Sequence, residues 1–216
     1  MALAETLKAD HPSALERAAE VIRAGGVVAV PTETFYGLAA DAGHPAARAR
    51  IFEIKGRPAD MALPLVAASL EQVIALLGPM DAVTAKAAQA FWPGPLSLVL
   101  NATPLHSGTV EQTDNRLPAT DNRSVAVRVP AHDFVRALCD RAGVLLTSTS
   151  ANRTGEPPAE TADAVVAGLG DAVDLVIDGG RTPGGKPSSI VDLRGGEPVL
   201  VRDGAVEWSR VLESLK

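Results

Sequence analysis

Short apolar runs alternate with longer amphipathic stretches along almost the whole chain. Pro12-Ser13 opens a stretch in which Leu15, Ala18, Ala19 and Ile22 recur at helical spacing, and Gly25-Gly26 closes it, which predicts a helix to about Ala24. Val27-Val28-Ala29-Val30 is then apolar at every position, the pattern of a strand buried on both faces, and Pro31 ends it. Thr32 to Gly37 reads as a polar turn before Leu38 to Ala40 resumes apolar character. Helices are expected over about 45–55, 69–77 and 81–91. The capping box Ser69-Leu70-Glu71-Gln72 opens the second, and Trp92-Pro93-Gly94-Pro95 breaks the third. Strands are expected over 63–67, 96–100, 125–129, 144–146, 174–177, 190–193 and 199–202, with helices near 132–141 and 160–167 and a short one at the end.

Strands alternating with helices argue for an α/β fold. Without an internal repeat or a low-complexity tail, the 216 residues are read as one domain, 1–216. Residues 101–123 break the pattern: they are polar, hold two prolines and almost no large apolar side chain. That segment is expected to be a flap or mobile loop rather than a linker.

Composition narrows the function classes. Hydrophobic residues at 46% support a sizeable core, built from Ala, Val and Leu because aromatics make up only 3%. A net charge of −6 argues against non-specific nucleic-acid binding, although a local basic pocket stays open. The single Cys139 excludes an internal disulfide and a Cys-rich zinc site, and its surroundings read as buried helix. His11, His44, His106 and His132 show no metal-ligand spacing, so no metal site from protein side chains is expected. No apolar run approaches the roughly 20 residues of a membrane span, and the N-terminus is not a signal peptide; the expectation is a soluble cytoplasmic protein.

Several motifs carry candidate chemistry. Ile51-Phe52-Glu53-Ile54-Lys55-Gly56-Arg57-Pro58 ends a helical run in two cations one glycine apart, suited to phosphate, carboxylate or bicarbonate, or else to a solvated helix end. Gly180 to Lys186 has P-loop spacing, but Pro187 replaces the required hydroxyl residue and a strand follows where a helix is needed, so it is read as a glycine turn presenting Ser188. Gly168-Leu169-Gly170 lacks the third glycine of a dinucleotide fingerprint. Ser148-Thr149-Ser150-Ala151-Asn152 leaves a buried strand with hydroxyls and an amide able to bind a nucleotide, or forms an ordinary polar turn. Ser150 has no histidine placed as its base, which argues against a hydrolase nucleophile. Arg128 is the one charge in an otherwise apolar strand; facing inward it needs an anionic partner, facing outward it needs none. Thr32, Glu33 and Thr34 either line a pocket or turn the chain.

Pro31-Thr32-Glu33-Thr34-Phe35-Tyr36-Gly37-Leu38, Lys55-Gly56-Arg57-Pro58-Ala59-Asp60, Phe91-Trp92-Pro93-Gly94-Pro95-Leu96, Val127-Arg128-Val129-Pro130, Ser150-Ala151-Asn152-Arg153 and Ser188-Ser189-Ile190-Val191-Asp192-Leu193 occur in one order. Together they resemble the YrdC/TsaC family, over about 14–205. The resemblance implies a twisted, open, mostly parallel α/β sheet with helices on both faces and a large basic cavity, in the short single-domain form. It implies threonylcarbamoyl-AMP synthesis from L-threonine, bicarbonate or CO2 and ATP with Mg2+, releasing pyrophosphate, for t6A modification of tRNA with downstream transfer proteins. It implies catalytic and triphosphate roles for Lys55 and Arg57, ATP contacts from Ser124, Ser150, Asn152 and Arg202, and L-threonine contacts from Thr34, Arg128, Ser148 and Ser188. Met61 and Val66 depart from the family pattern. The alternatives are a YrdC-like carbamoyl-adenylate-forming enzyme, as in hydrogenase-maturation carbamoyltransferases, and an RNA-binding module; the scarcity of aromatic residues disfavours the latter.

Overall fold

In the computed structural model, residues 4–57, 63–101 and 124–216 are described, and the following concerns those residues. Val28–Val30 (β2) is apolar at each position because helices cover both faces of its sheet. The strand pairs antiparallel with Gly37–Ala39 (β3) and parallel with Leu175–Asp178 (β9), which pairs parallel with Glu5–Lys8 (β1). Side chains alternate faces along a strand. Val28, Val30, Leu175 and Ile177 therefore meet Ala14–Arg23 (α1) and Asp133–Ala142 (α5), burying Ala18, Ile22, Leu138 and Cys139. Val27, Ala29, Leu38 and Val176 meet the other layer, Pro45–Lys55 (α2) and Ala162–Leu169 (α6).

A second sheet is covered differently. Its strands are Leu65–Val66 (β4), Leu96–Asn101 (β5), Ser124–Arg128 (β6), Leu146–Thr147 (β7), Ser189–Asp192 (β10) and Val199–Arg202 (β11), in the order β11-β10-β5-β6-β4-β7. Leu96, Leu98, Leu100, Val125, Val127 and Val191 pack on one side against Leu70–Leu77 (α3), Ala82–Phe91 (α4) and Trp208–Ser214 (α7). The alternate positions include Ser97, Arg128 and Ile190, and these line a cavity. One-residue slips would exchange the two sets, so burying several Leu and Val side chains, each stabilising by roughly 1.5–3 kcal/mol, fixes which polar groups face the cavity.

Thr149–Ser150 (β8) explains how the sheets join. β7 pairs with β4 in the second sheet, whereas β8, one residue later, pairs with β3 in the first. Thr147 holds the crossing: its buried Oγ1 accepts from Ala40 N at 3.0 Å and donates to Leu38 O at 3.2 Å. Ser148 is the residue at the switch, its N–H bonded to Pro64 O at 2.7 Å.

The α/β class stands as expected, but the strands form two mixed sheets rather than one mostly parallel sheet. Hairpin-like neighbours β2/β3 and β5/β6 and the final pair β10/β11 run antiparallel. The expected strand over 144–146 is shifted to 146–147 and followed by β8, because Val144 packs beside α1 and α5 instead of continuing a ladder. β1 was not foreseen: three of its four residues are polar and exposed at the edge of the first sheet, and only Leu7 packs inward. Cys139 is buried in α5, and burial pushes its thiol up to about 12. Residues 180–186 lead into β10 and not into a helix. Residues 102–123, which hold most of the expected flap, and Met61 lie outside the described residues. No described helix is long and apolar enough to cross a membrane.

Candidate functional site

The cavity lies where the two sheets meet and has a volume of about 270 Å³. Its walls come from the loop between β2 and β3, the β7–β8 crossing, the open face of the second sheet and the residue that follows the α2 C-cap. Thr34, Arg57, Ser97, Arg128, Ser148, Ser150, Ser188 and Arg202 all line it. Seven of these wall residues, all but Ser97, are hydroxyl or guanidinium groups that the sequence had singled out.

Arg57 reaches the cavity through a helix terminus. Gly56 caps α2 in the left-handed conformation, φ 61°, and the N–H groups of Gly56 and Arg57 close on Glu53 O and Phe52 O. The chain then reverses, so that Lys55 and Arg57 point to different places. Arg57 Nε donates to Thr154 Oγ1 at 2.9 Å. Lys55 is only 1% exposed and stands behind the cavity wall. Its ammonium donates to Ser150 O at 2.7 Å, Asn152 Oδ1 at 2.9 Å and Ser150 Oγ at 3.3 Å. Burial, and then the charge of Arg57, push its pKa down to about 8. Lys55 thus clamps the Ser150–Asn152 turn, and Thr154 N closes the clamp on Lys55 O at 3.0 Å.

Arg128 and Arg202 bring two cations to the open face of the second sheet. Arg128 is 6% exposed, and its Nη1 donates to Glu33 Oε1 across 95 residues of sequence. Burial lowers its pKa and the Glu33 carboxylate opposes that shift; the inward arginine has the anionic partner it requires. Arg202 pairs in register with the neighbourhood of Ile190, and its Nη2 donates to Ser188 O at 2.7 Å and Ser188 Oγ at 2.9 Å. Burial first, and the charge of Arg128 second, lower the pKa of Arg202. The two guanidinium groups therefore feel each other across the cavity, which favours an anion between them.

Thr34 is placed by a hydroxyl-built turn. Thr32 Oγ1 donates to Phe35 O at 2.7 Å and accepts from Thr34 N at 3.2 Å. Buried Tyr36 anchors the same loop to the glycine turn, donating to Gly180 O at 2.8 Å and accepting from Gly179 N at 3.2 Å.

Besides Lys55, two of the expected residues lie outside the cavity wall. Asn152 lines a neighbouring, more open hollow of about 480 Å³ with Glu160, Thr161 and Arg181, so the Ser150–Asn152 turn separates the two spaces. Ser124 sits at the far end of β6, four residues before Arg128 on the same face, and is not a wall residue. Sequence reasoning passed over Ser97 and left Glu33 undecided. Ser97 carried a signal: it is the polar exception within Leu96-Ser97-Leu98-Val99-Leu100, as Arg128 is within its own strand, and its Oγ lies 3.2 Å from Ser188 Oγ. Val66 is buried, paired in register with Arg128.

Comparison with known proteins places this architecture. A family model for Sua5, YciO and YrdC proteins, described as "Telomere recombination", matches residues 20–204. The threonylcarbamoyl-AMP synthase of Pyrococcus abyssi is 39% identical over 90% of this chain, which spans 55% of that relative's length. The threonylcarbamoyl-AMP synthase of Marinobacter nauticus is 38% identical over 85% of this chain and 93% of its own. Among solved structures, P. abyssi Sua5 complexed with L-threonine superposes with a TM-score of 0.85 at 34% identity, covering 99% of this chain and 60% of that one. Sequence and fold agree over nearly the whole length, and the chain belongs to the Sua5/YciO/YrdC family.

Proposed function

We propose that this protein is a threonylcarbamoyl-AMP synthase, joining L-threonine, CO2 or bicarbonate and ATP and releasing pyrophosphate. The observation that carries this reading is the buried Arg128 facing Arg202 across a hydroxyl-lined cavity at the sheet junction. The name shared by relatives of similar length and the L-threonine in the P. abyssi structure support it.

The chemistry needs placement and charge stabilisation more than an acid–base residue. Arg128 takes the carboxylate of L-threonine, while Thr34, Ser148 and Ser188 supply hydroxyl partners. The amine adds to CO2 and loses a proton, giving an N-carboxylate. That carboxylate attacks the α-phosphorus of ATP, the bond to the β-phosphate oxygen breaks, and pyrophosphate leaves. Three anionic groups must converge, and Arg57 and Arg202 offset their repulsion. Lys55 contributes indirectly, by holding the turn of Ser150 and Asn152 that contacts the nucleotide. The lining residues offer magnesium no carboxylate set, since none of them is Asp or Glu; the wall does not fit a protein-held Mg2+, and no step is assigned to one. In this reading the product serves t6A formation on tRNA in the cytoplasm, with transfer proteins acting afterwards.

The test is pyrophosphate release from ATP with L-threonine and bicarbonate omitted in turn, joined to mass spectrometry of the adenylate. Release that needs both, with the threonylcarbamoyl-adenylate mass present, is expected. Release independent of threonine, or appearing only with carbamoyl phosphate, would overturn the assignment.

A further inference from the structure

The ion pair between Arg128 and Glu33 is unevenly satisfied. Glu33 Oε1 accepts from Arg128, but Glu33 Oε2 is buried and has no hydrogen-bond partner among the described residues. Buried carboxylate oxygens are ordinarily bonded, and a permanent Arg–carboxylate pair tends to be two-pronged. A one-pronged contact with an idle second oxygen suits a partner that has somewhere else to go. A second such group is His132, at the N-cap of α5. Its Nδ1 is likewise buried without a partner, and its side chain does not cap the helix. The Glu33 charge acts directly on this ring, opposing the pKa lowering that burial causes. A buried acceptor and a buried ring nitrogen able to donate, within each other's electrostatic reach, are therefore both unused among the described residues.

We propose that Glu33 is an exchangeable internal counter-ion: it holds Arg128 in the ligand-free protein, yields the guanidinium to an incoming carboxylate, and moves onto His132. A guanidinium buried to this degree cannot stand without an anion, so it needs a resident one until a substrate carboxylate arrives. The site is thereby tuned to carboxylates, because only a group that replaces the Glu33 charge compensates Arg128. Glu33 sits in the irregular segment between β2 and β3, flanked by the cavity-lining Thr32 and Thr34, where a side-chain rotation need not disturb a ladder. The proposal rests on Arg128 receiving the substrate carboxylate.

The experiment is calorimetric titration of L-threonine and, separately, of acetate into wild type, Glu33→Gln and His132→Phe. Removing the competing charge should tighten carboxylate binding about tenfold in Glu33→Gln, since the binding-competent state no longer has to be reached by breaking an ion pair. Removing the landing place should weaken it about fivefold in His132→Phe. Binding that is unchanged or weaker in Glu33→Gln overturns the exchange. Should Glu33→Gln fail to fold, unchanged binding in His132→Phe overturns it by itself, and weakened binding upholds it. Acetate tightening in Glu33→Gln with L-threonine inert on every protein would uphold the exchange and refute the threonine reading.

Discussion

Lys55→Met tests whether the lysine is a clamp placed at a cost. The wild-type ammonium is 1% exposed, and its pKa is pushed down from 10.5 to about 8. At about 1.36 kcal/mol per pH unit, holding that charge inside the folded protein costs about 3 kcal/mol. The sign follows from proton counts. Below pH 8 both folded and unfolded chains carry the proton, and the cost is fully present. Between about 8 and 10.5 the unfolded chain binds more protons than the folded one, so stability contributed by this residue rises with pH. Methionine has similar length and no proton to lose. Urea denaturation of both proteins at pH 7, 9 and 10.5 isolates the effect as a difference, with all other titrations common to both. Wild type should gain on the variant by about 3 kcal/mol across that window. A difference that stays constant from pH 7 to 10.5 would refute the buried, charged clamp. Pyrophosphate release by the variant should fall at least about a hundredfold, because Ser150 O and Asn152 Oδ1 lose their donor and the turn its position.

Other perturbations probe the remaining walls of the site. Arg128→Met leaves Glu33 buried beside no cation, and thermal or urea denaturation should show a loss of about 3–5 kcal/mol. Gly56→Ala meets no atom within 4 Å of the new Cβ, so its cost is the left-handed backbone alone, about 1 kcal/mol by denaturation, with turnover reduced as Arg57 is re-aimed. Thr147→Val keeps the shape of the crossing but strands Ala40 N–H; denaturation should register about 1–3 kcal/mol.

Much of the site was legible because it consists of polar exceptions to apolar patterns. Arg128 stands out within Val125–Val129, and the hydroxyls after Leu146 stand out at the end of an apolar run. The pairing of Arg128 with Glu33 was not legible, since nothing local links residues 95 apart. Nor was the direction of Lys55: a cation one residue from a glycine cap can turn to either side, and packing against the Ser150–Asn152 turn decides it. The division into two sheets escaped the sequence because the strand expected over 144–146 runs into a hydroxyl-rich stretch that carries no apolar signature of a second short strand. Only the register of β7 on β4 and β8 on β3 shows that the ladder changes partner at Ser148. β1 escaped for the opposite reason: an exposed edge strand lacks the apolar signature that marks β2.

The central claim is that Arg128 selects the substrate by its carboxylate, and pyrophosphate release with L-threonine or L-threoninol tests it most directly. Wild type should prefer L-threonine by at least about a hundredfold, the worth of a buried charge-assisted pair. Whatever activity Arg128→Met retains should no longer distinguish the two. L-Threoninol accepted as readily as L-threonine by wild type, or a preference that survives in Arg128→Met, would contradict the claim.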